Sequence, residues 1–220
     1  MTKRMTLAAT IKGVYAITPD CVDSADLLHR ARMALAGGAK ILQYRNKSAN
    51  CEQRVEQAHA LRMLTREFGA LFIVNDDARL AAHVDADGVH VGATDDGVEV
   101  ARTLLGMQKI IGVSCYNHLT LAHDAVNAGA DYVAFGAFFP SAVKPGAAVA
   151  TVGLLQQARR ELNIPLVAIG GITLHNAGML LHAGASALAM ISALFQTEDI
   201  TDAVKKMSSL FELYPQNGIS

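Results

Sequence analysis

The chain has 220 residues, half of them apolar, with no Trp and a formal net charge of −1. That length carries one large core, and the balance of 19 basic against 20 acidic side chains gives no electrostatic footprint for nucleic acid or an anionic membrane. Cys21, Cys51 and Cys115 are odd in number, far apart and without metal-type spacing. Free thiols in a reducing cytoplasm are the expectation, with no disulfide framework. Lys3 and Arg4 are followed by no long apolar run, so neither a signal peptide nor a membrane span is expected.

Short β-rich runs alternate with amphipathic helical patterns from end to end. The predicted strands are Val14–Thr18, Lys40–Arg45, Leu71–Asn75, Gly88–Val91, Ile110–Ser114, Tyr132–Gly136, Pro165–Ile169 and Ala187–Met190. Helices are predicted over Ser24–Ala36, Glu52–Glu67, Arg79–His83, Gly97–Leu105, Leu119–Ala128, Gly153–Glu161, Leu174–Ala183 and Asp199–Leu213. Helix-ending glycines recur in Gly37-Gly38-Ala39, Gly129-Ala130 and Gly184-Ala185, each followed by an apolar strand. This echo marks one repeated βα unit. Eight units of about 27 residues fit an α/β fold, a single (β/α)8 barrel domain over 1–220 with short flexible ends. A doubly wound sheet fits less well, because the first strand runs into Thr18-Pro19-Asp20 with no Gly-rich turn.

In such barrels chemistry gathers where strands end, and the polar residues of this chain collect there. Gln43, Arg45 and Lys47 alternate, so a strand aims an amide, a guanidinium and an ammonium to one side. Two cations and an amide in a row suit a polyanion such as a diphosphate. Strand three ends in Asn75-Asp76-Asp77, and Asp95 and Asp96 follow strand four. One carboxylate from each pair can converge on Mg2+, which takes few protein ligands and completes its shell from water and phosphate. Asp76 or Asp77 can instead cap the next helix, and spacing alone does not choose between Asp95 and Asp96. His90 reads as a hydrogen-bonded lumen residue, and Ser114 closes strand five. Gly170-Gly171 and Ile191-Ser192 close strands seven and eight, where such barrels cradle a phosphate. No cysteine has a neighbouring His or Asp motif for thiol catalysis.

Taken in order, these segments resemble the thiamine phosphate synthase family over Val14 to Phe195. The resemblance rests on Tyr15-Ala16-Ile17-Thr18, Gln43-Tyr44-Arg45-Asn46-Lys47, Val74-Asn75-Asp76-Asp77, Asp87-Gly88-Val89-His90-Val91-Gly92, Ile111-Gly112-Val113-Ser114, Phe139-Pro140-Ser141-Ala142-Val143-Lys144-Pro145, Ala168-Ile169-Gly170-Gly171-Ile172 and Ile191-Ser192. It implies a Mg2+-dependent transferase that joins an aminopyrimidine methyl diphosphate to a thiazole phosphate and releases pyrophosphate. The diphosphate site would fall on Gln43, Tyr44, Arg45, Asn46, Lys47, Asn75, Ser114 and Lys144, with Asp76 and Asp95 as metal ligands. The thiazole phosphate would fall on Ser141, Ala142, Val143, Gly171, Ile191 and Ser192. Arg45, Lys47, Lys144 and Ser114 would carry catalysis. The family pattern Pro-Thr-x-Thr-Lys reads Pro140-Ser141-Ala142-Val143-Lys144 here, so Val143 loses a hydroxyl, and Ala93 stands where the family commonly has Gln. The partners implied are two small phosphorylated heterocycles, and a homo-oligomer stays open. A tautomerase acting on the thiazole phosphate would keep only the second phosphate site, and a non-catalytic phosphate sensor would release no pyrophosphate.

Overall fold

A computed structural model describes residues 9–92, 97–140 and 149–214. In chain order it runs β1 (Gly13–Ile17), α1 (Ser24–Ala36), β2 (Ile41–Tyr44), α2 (Cys51–Glu67), β3 (Leu71–Asn75), α3 (Ala78–His83), β4 (Gly88–Val91), α4 (Gly97–Leu105) and β5 (Ile110–Tyr116). It continues through α5 (Leu119–Asn127), β6 (Tyr132–Phe135), α6 (Val152–Glu161), β7 (Leu166–Ile169), α7 (Leu174–His182), β8 (Ala187–Met190), α8 (Ser192–Phe195) and α9 (Ile200–Leu213). The strands pair in sequence order, all parallel, and β8 returns to β1 through Gly13↔Ala187 and Tyr15↔Ala189, closing the barrel. The expected (β/α)8 architecture is therefore the observed one.

Strand side chains alternate between lumen and shell. Ile11, Tyr15, Ile41, Ile73, Ile110 and Val167 belong to the cluster that fills the lumen. Leu42, Phe72, Val89, Ile111, Val133 and Leu188 belong to the larger cluster that packs the strands against the helices. The helices start on side-chain caps: Asp23 accepts from the Ala25 and Asp26 amides, Asn50 from Gln53, Asp77 from Leu80, and Asp199 from Asp202. Such caps satisfy amides that the first helical turn leaves unpaired. The echoed Gly129 and Gly184 follow their helices at φ 93° and 105°, the left-handed conformation expected of them.

The floor of the barrel is fastened by side chains that stand just before even-numbered strands. Asp87, ahead of β4, accepts the Phe72 amide at 2.9 Å and holds Arg62 with two bonds of 2.8 and 3.0 Å. Asp131, ahead of β6, accepts the Ile111 amide at 2.8 Å and pairs with Arg102 at 3.0 Å. Ser186, ahead of β8, accepts the Leu166 amide at 3.3 Å.

Two differences from the sequence reading have local causes. β2 stops at Tyr44 because the Thr18 side chain takes over pairing to Arg45, accepting its amide and donating to its carbonyl, both at 2.9 Å. The four-residue α8 escapes periodicity because it is a single turn.

Candidate active site

The mouth at the carboxyl ends of β2 to β5 is built from the β2 end outward. The fully buried Thr18 fixes the Arg45 backbone. Asp20 bridges the cationic pair, accepting from Arg45 Nη1 at 3.2 Å and from the Lys47 amide at 2.7 Å. Gln43 is buried in the lumen, and its Nε2 donates to the Tyr15 hydroxyl at 2.8 Å.

The intervening residues turn the other way. The Tyr44 hydroxyl donates to Gln57 Oε1 on α2 at 2.8 Å, and Asn46 Nδ2 donates to the same oxygen at 2.9 Å and to the Cys21 carbonyl. Asn46 Oδ1 also accepts from the Ser48 amide and hydroxyl. Burial pushes the Tyr44 phenol up to about 12, so it stays neutral. Tyr44 and Asn46, expected among the substrate contacts, thus sit behind the strand end and brace it from the shell side.

At the end of β3 the two aspartates divide their roles. Asp77 caps α3 and accepts from Arg54 at 2.9 Å. Asp76 is exposed and left-handed at φ 60°, and its amide donates to the His90 carbonyl at 2.8 Å. Its carboxylate accepts from Asn75 Nδ2 at 2.7 Å. A non-glycine residue held in that conformation is costly and recurs where a side chain must be aimed for use. Asp76 therefore presents a carboxylate at the mouth with no cation beside it among the ion pairs of the described residues. It suits one corner of a Mg2+ shell that otherwise takes water and phosphate. No group of three or more metal-ligating side chains occurs among the described residues. The second expected ligand, Asp95, lies outside the described residues, as do Ala93, Ser141, Ala142, Val143 and Lys144.

On β4 and β5, His90 Nε2 and Ser114 Oγ lie 2.8 Å apart, and His90 Nδ1 lies 3.0 Å from the Tyr132 hydroxyl. The lumen role expected of His90 is the observed one. Burial lowers its pKa to about 4, so the imidazole is neutral at pH 7. Cys115 points into the shell cluster behind β5, and burial pushes its thiol up to about 12, which leaves no thiolate for catalysis.

Across the barrel, the β7 end packs against the segment after β6. Phe138 and Phe139 amides donate to the Ile169 and Gly170 carbonyls at 3.2 and 3.1 Å. A Cβ on Gly171 would stand 2.5 Å from the Pro140 carbonyl oxygen, so only glycine admits this approach. Ile191 and Ser192 are half-buried at the start of α8.

Sequence reasoning missed Asp20, Thr18, Tyr15 and Tyr132. The two tyrosines lie inside strands that read as apolar. The available signal was Gly112 beside Tyr132 in the β5–β6 register: a Cβ on Gly112 would fall 2.0 Å from the Tyr132 ring, so the glycine clears space for it.

Residues 14–194 match the family model described as thiamine monophosphate synthase. The chain is 52% identical over 201 residues to the thiamine-phosphate synthase of Methylobacillus flagellatus, covering 91% of this chain and 96% of that one. It is 50% identical over 204 residues to the thiamine-phosphate synthase of Thiobacillus denitrificans, covering 93% and 97%. The solved structure of thiamine phosphate pyrophosphorylase from Pyrococcus furiosus superposes with a TM-score of 0.84 at 36% identity, covering 95% and 99%. The closed barrel and these likenesses agree: the chain belongs to the thiamine monophosphate synthase family, a family of transferases.

Proposed function

We propose that this chain joins 4-amino-2-methyl-5-hydroxymethylpyrimidine diphosphate to hydroxyethylthiazole phosphate, giving thiamine phosphate and pyrophosphate. The observation that carries the reading is the gathering of Gln43, Arg45, Lys47, Asn75, Asp76 and Ser114 at the carboxyl ends of β2, β3 and β5, on one side of the mouth. A site for the thiazole phosphate alone would need only the β7–β8 side.

The reaction breaks the bond between the pyrimidine methylene carbon and the diphosphate oxygen. The electron pair leaves with pyrophosphate, and the ring spreads the positive charge left on carbon. The thiazole nitrogen then closes the new C–N bond. No strong base or nucleophile is required of the protein. Arg45 and Lys47 meet negative charge as it develops on the leaving group, with Lys144 in the same role, and such preorganised charge is the main catalytic device. Asp20 fixes Arg45 and the Lys47 backbone where that charge appears. Asp76 and Asp95 would hold Mg2+, which supplies further neutralisation of the diphosphate. Gly171, Ile191, Ser192 and the Ser141–Val143 backbone would hold the thiazole phosphate opposite, which adds proximity. Tyr44 and Asn46 act through the strand end they brace. Cys21, Cys51 and Cys115 are free thiols, in keeping with a cytoplasmic setting, and no helix among the described residues is long and apolar enough to cross a membrane.

The test is pyrophosphate release from both substrates together, with Mg2+ and with EDTA. Release that needs both substrates and stops with EDTA is expected. Purified, folded Arg45→Ala should lose at least roughly 100-fold in kcat, the scale of one lost oxyanion-type contact. Near-normal turnover at saturating substrate would remove Arg45 from the reaction, and no pyrophosphate from the wild type would refute the function.

A further inference from the structure

A line of hydrogen bonds crosses the lumen beneath the mouth. It begins at Gln43 Nε2, which is 2.8 Å from the Tyr15 hydroxyl. Tyr15 and Tyr132 hydroxyls are 2.8 Å apart, Tyr132 is 3.0 Å from His90 Nδ1, and His90 Nε2 is 2.8 Å from Ser114 Oγ. The line therefore links β2, β1, β6, β4 and β5. Its two ends are residues of the proposed substrate site, and its three middle members are not. The rings are held in place: Tyr15 meets Tyr132 edge-on at 6.2 Å, and His90 stacks on Tyr132 at 5.5 Å. Gly112 keeps the space that Tyr132 occupies.

With the Gln43 amide oriented so that Nε2 faces Tyr15, hydrogen counting fixes the direction of every other link. The three rings are buried, and their side-chain hydrogen bonds among the described residues go only to uncharged groups, so all three are neutral near pH 7. Each phenol then owns one hydrogen, the imidazole one and the serine one. Gln43 Nε2 carries only hydrogens and must donate to Tyr15. Tyr15 spends its hydrogen on Tyr132, and Tyr132 spends its own on His90 Nδ1. Nδ1 is therefore bare, the ring hydrogen sits on Nε2, and it goes to Ser114 Oγ. Ser114 keeps its hydroxyl hydrogen for the mouth, and Gln43 keeps its carbonyl oxygen. With the amide so placed, any other order leaves a hydrogen unspent or two hydrogens facing each other along the line, which buried polar groups resist. Only turning the Gln43 amide over reverses the whole line, and it reverses both ends together.

We propose that Tyr15, Tyr132 and His90 are positioning residues that lock Ser114 as a hydrogen-bond donor and Gln43 as an acceptor, and so select the amino form of the pyrimidine substrate. This rests on the synthase reading of the site. An aminopyrimidine offers ring-nitrogen acceptors and an exocyclic amino donor, which complements that pair. The 4-oxo analogue replaces the donor with a carbonyl and sets two acceptors face to face at Gln43. Sites that hydrogen-bond a substrate group discriminate strongly against its mismatch.

The test has two arms. In the first, 15N NMR of histidine-labelled protein at pH 7 is assigned with His90→Gln. The expected result is a neutral ring protonated at Nε2 with bare Nδ1, and protonation at Nδ1 overturns the proposal. In the second, kcat/KM is compared for the amino and oxo diphosphates. Wild type should prefer the amino form by at least about 100-fold. In Tyr132→Phe the line is cut, Gln43 can turn over, and the preference should fall to about tenfold or less, the weight of one hydrogen bond. Tyr15→Phe, which cuts the line one step earlier, should behave alike and serves if Tyr132→Phe does not fold. Unchanged preference in a folded variant overturns the selection. Should the wild type release no pyrophosphate, the synthase reading fails, and the NMR arm still decides the proton order.

Discussion

Gly112→Ala tests how tightly the lumen is organised around Tyr132. The added methyl would stand 2.0 Å from Tyr132 Cζ and 2.4 Å from its hydroxyl. Carbon atoms in contact prefer about 3.5–4.0 Å, so the ring must retreat by about 1.5 Å. It has no free direction, with Tyr15 at its edge and His90 on its face. Overpacking of this kind costs about 1–3 kcal/mol. A retreat of that size also breaks the hydroxyl's bonds to Tyr15 and His90, at about 1 kcal/mol each. The expected loss is about 3–5 kcal/mol, a large part of the 5–15 kcal/mol typical of a domain. Urea unfolding should show a lower midpoint with an unchanged slope. Gly112→Ala combined with Tyr132→Leu should lose less than the sum of the single variants, because the leucine vacates the clash. A loss below about 1 kcal/mol for Gly112→Ala alone, or strict additivity in the double variant, would refute the reasoning.

Asp76→Asn should raise the Mg2+ needed for half-maximal pyrophosphate release by roughly tenfold or more, on the scale of lost metal-site support; an unchanged Mg2+ curve would exclude Asp76 from the site. Arg62→Ala leaves the Asp87 carboxylate at the floor without its cation and should cost about 3–5 kcal/mol in chemical denaturation; a neutral result would show that water replaces the guanidinium freely. Asp85 is held below its ordinary value of 3.8, first by a hydrogen bond from Lys109 and then by the charges of Lys109, Arg62 and Arg66. Its folded pKa is depressed, so its contribution is full above 3.8 and fades as pH falls through the lower folded value. Stability of Asp85→Asn should therefore fall less steeply than wild type in that acid window, and parallel curves would count against the pairing.

The barrel was legible because its signals are local and repeated. Apolar runs and helical periodicity recur from unit to unit, helix-ending glycines recur at several, and each signal is visible within a short window. The site was legible where polarity contrasted with an apolar strand body, as at Gln43, Arg45 and Asn75. Parity carried more information than the motif reading drew from it: the alternation that aims Gln43 and Arg45 inward sends Tyr44 and Asn46 to Gln57. Tyr15 and Tyr132 were not legible, since a hydroxyl at the tip of an aromatic ring looks apolar in a strand and finds its partner only across 117 residues. Asp20 was hidden for a related reason. A carboxylate in a loop after Thr18-Pro19 acquires meaning only when closure of β1 on β2 brings it under Arg45 and Lys47.

The fastenings at Asp87, Asp131 and Ser186 tie neighbouring strands together on the face turned away from the chemistry. Cohesion and reactivity thereby draw on separate sets of side chains. A lineage that rebuilds the rim does so on a frame already clamped from below. Altered selectivity can then arise in this scaffold without each change being tested first against unfolding.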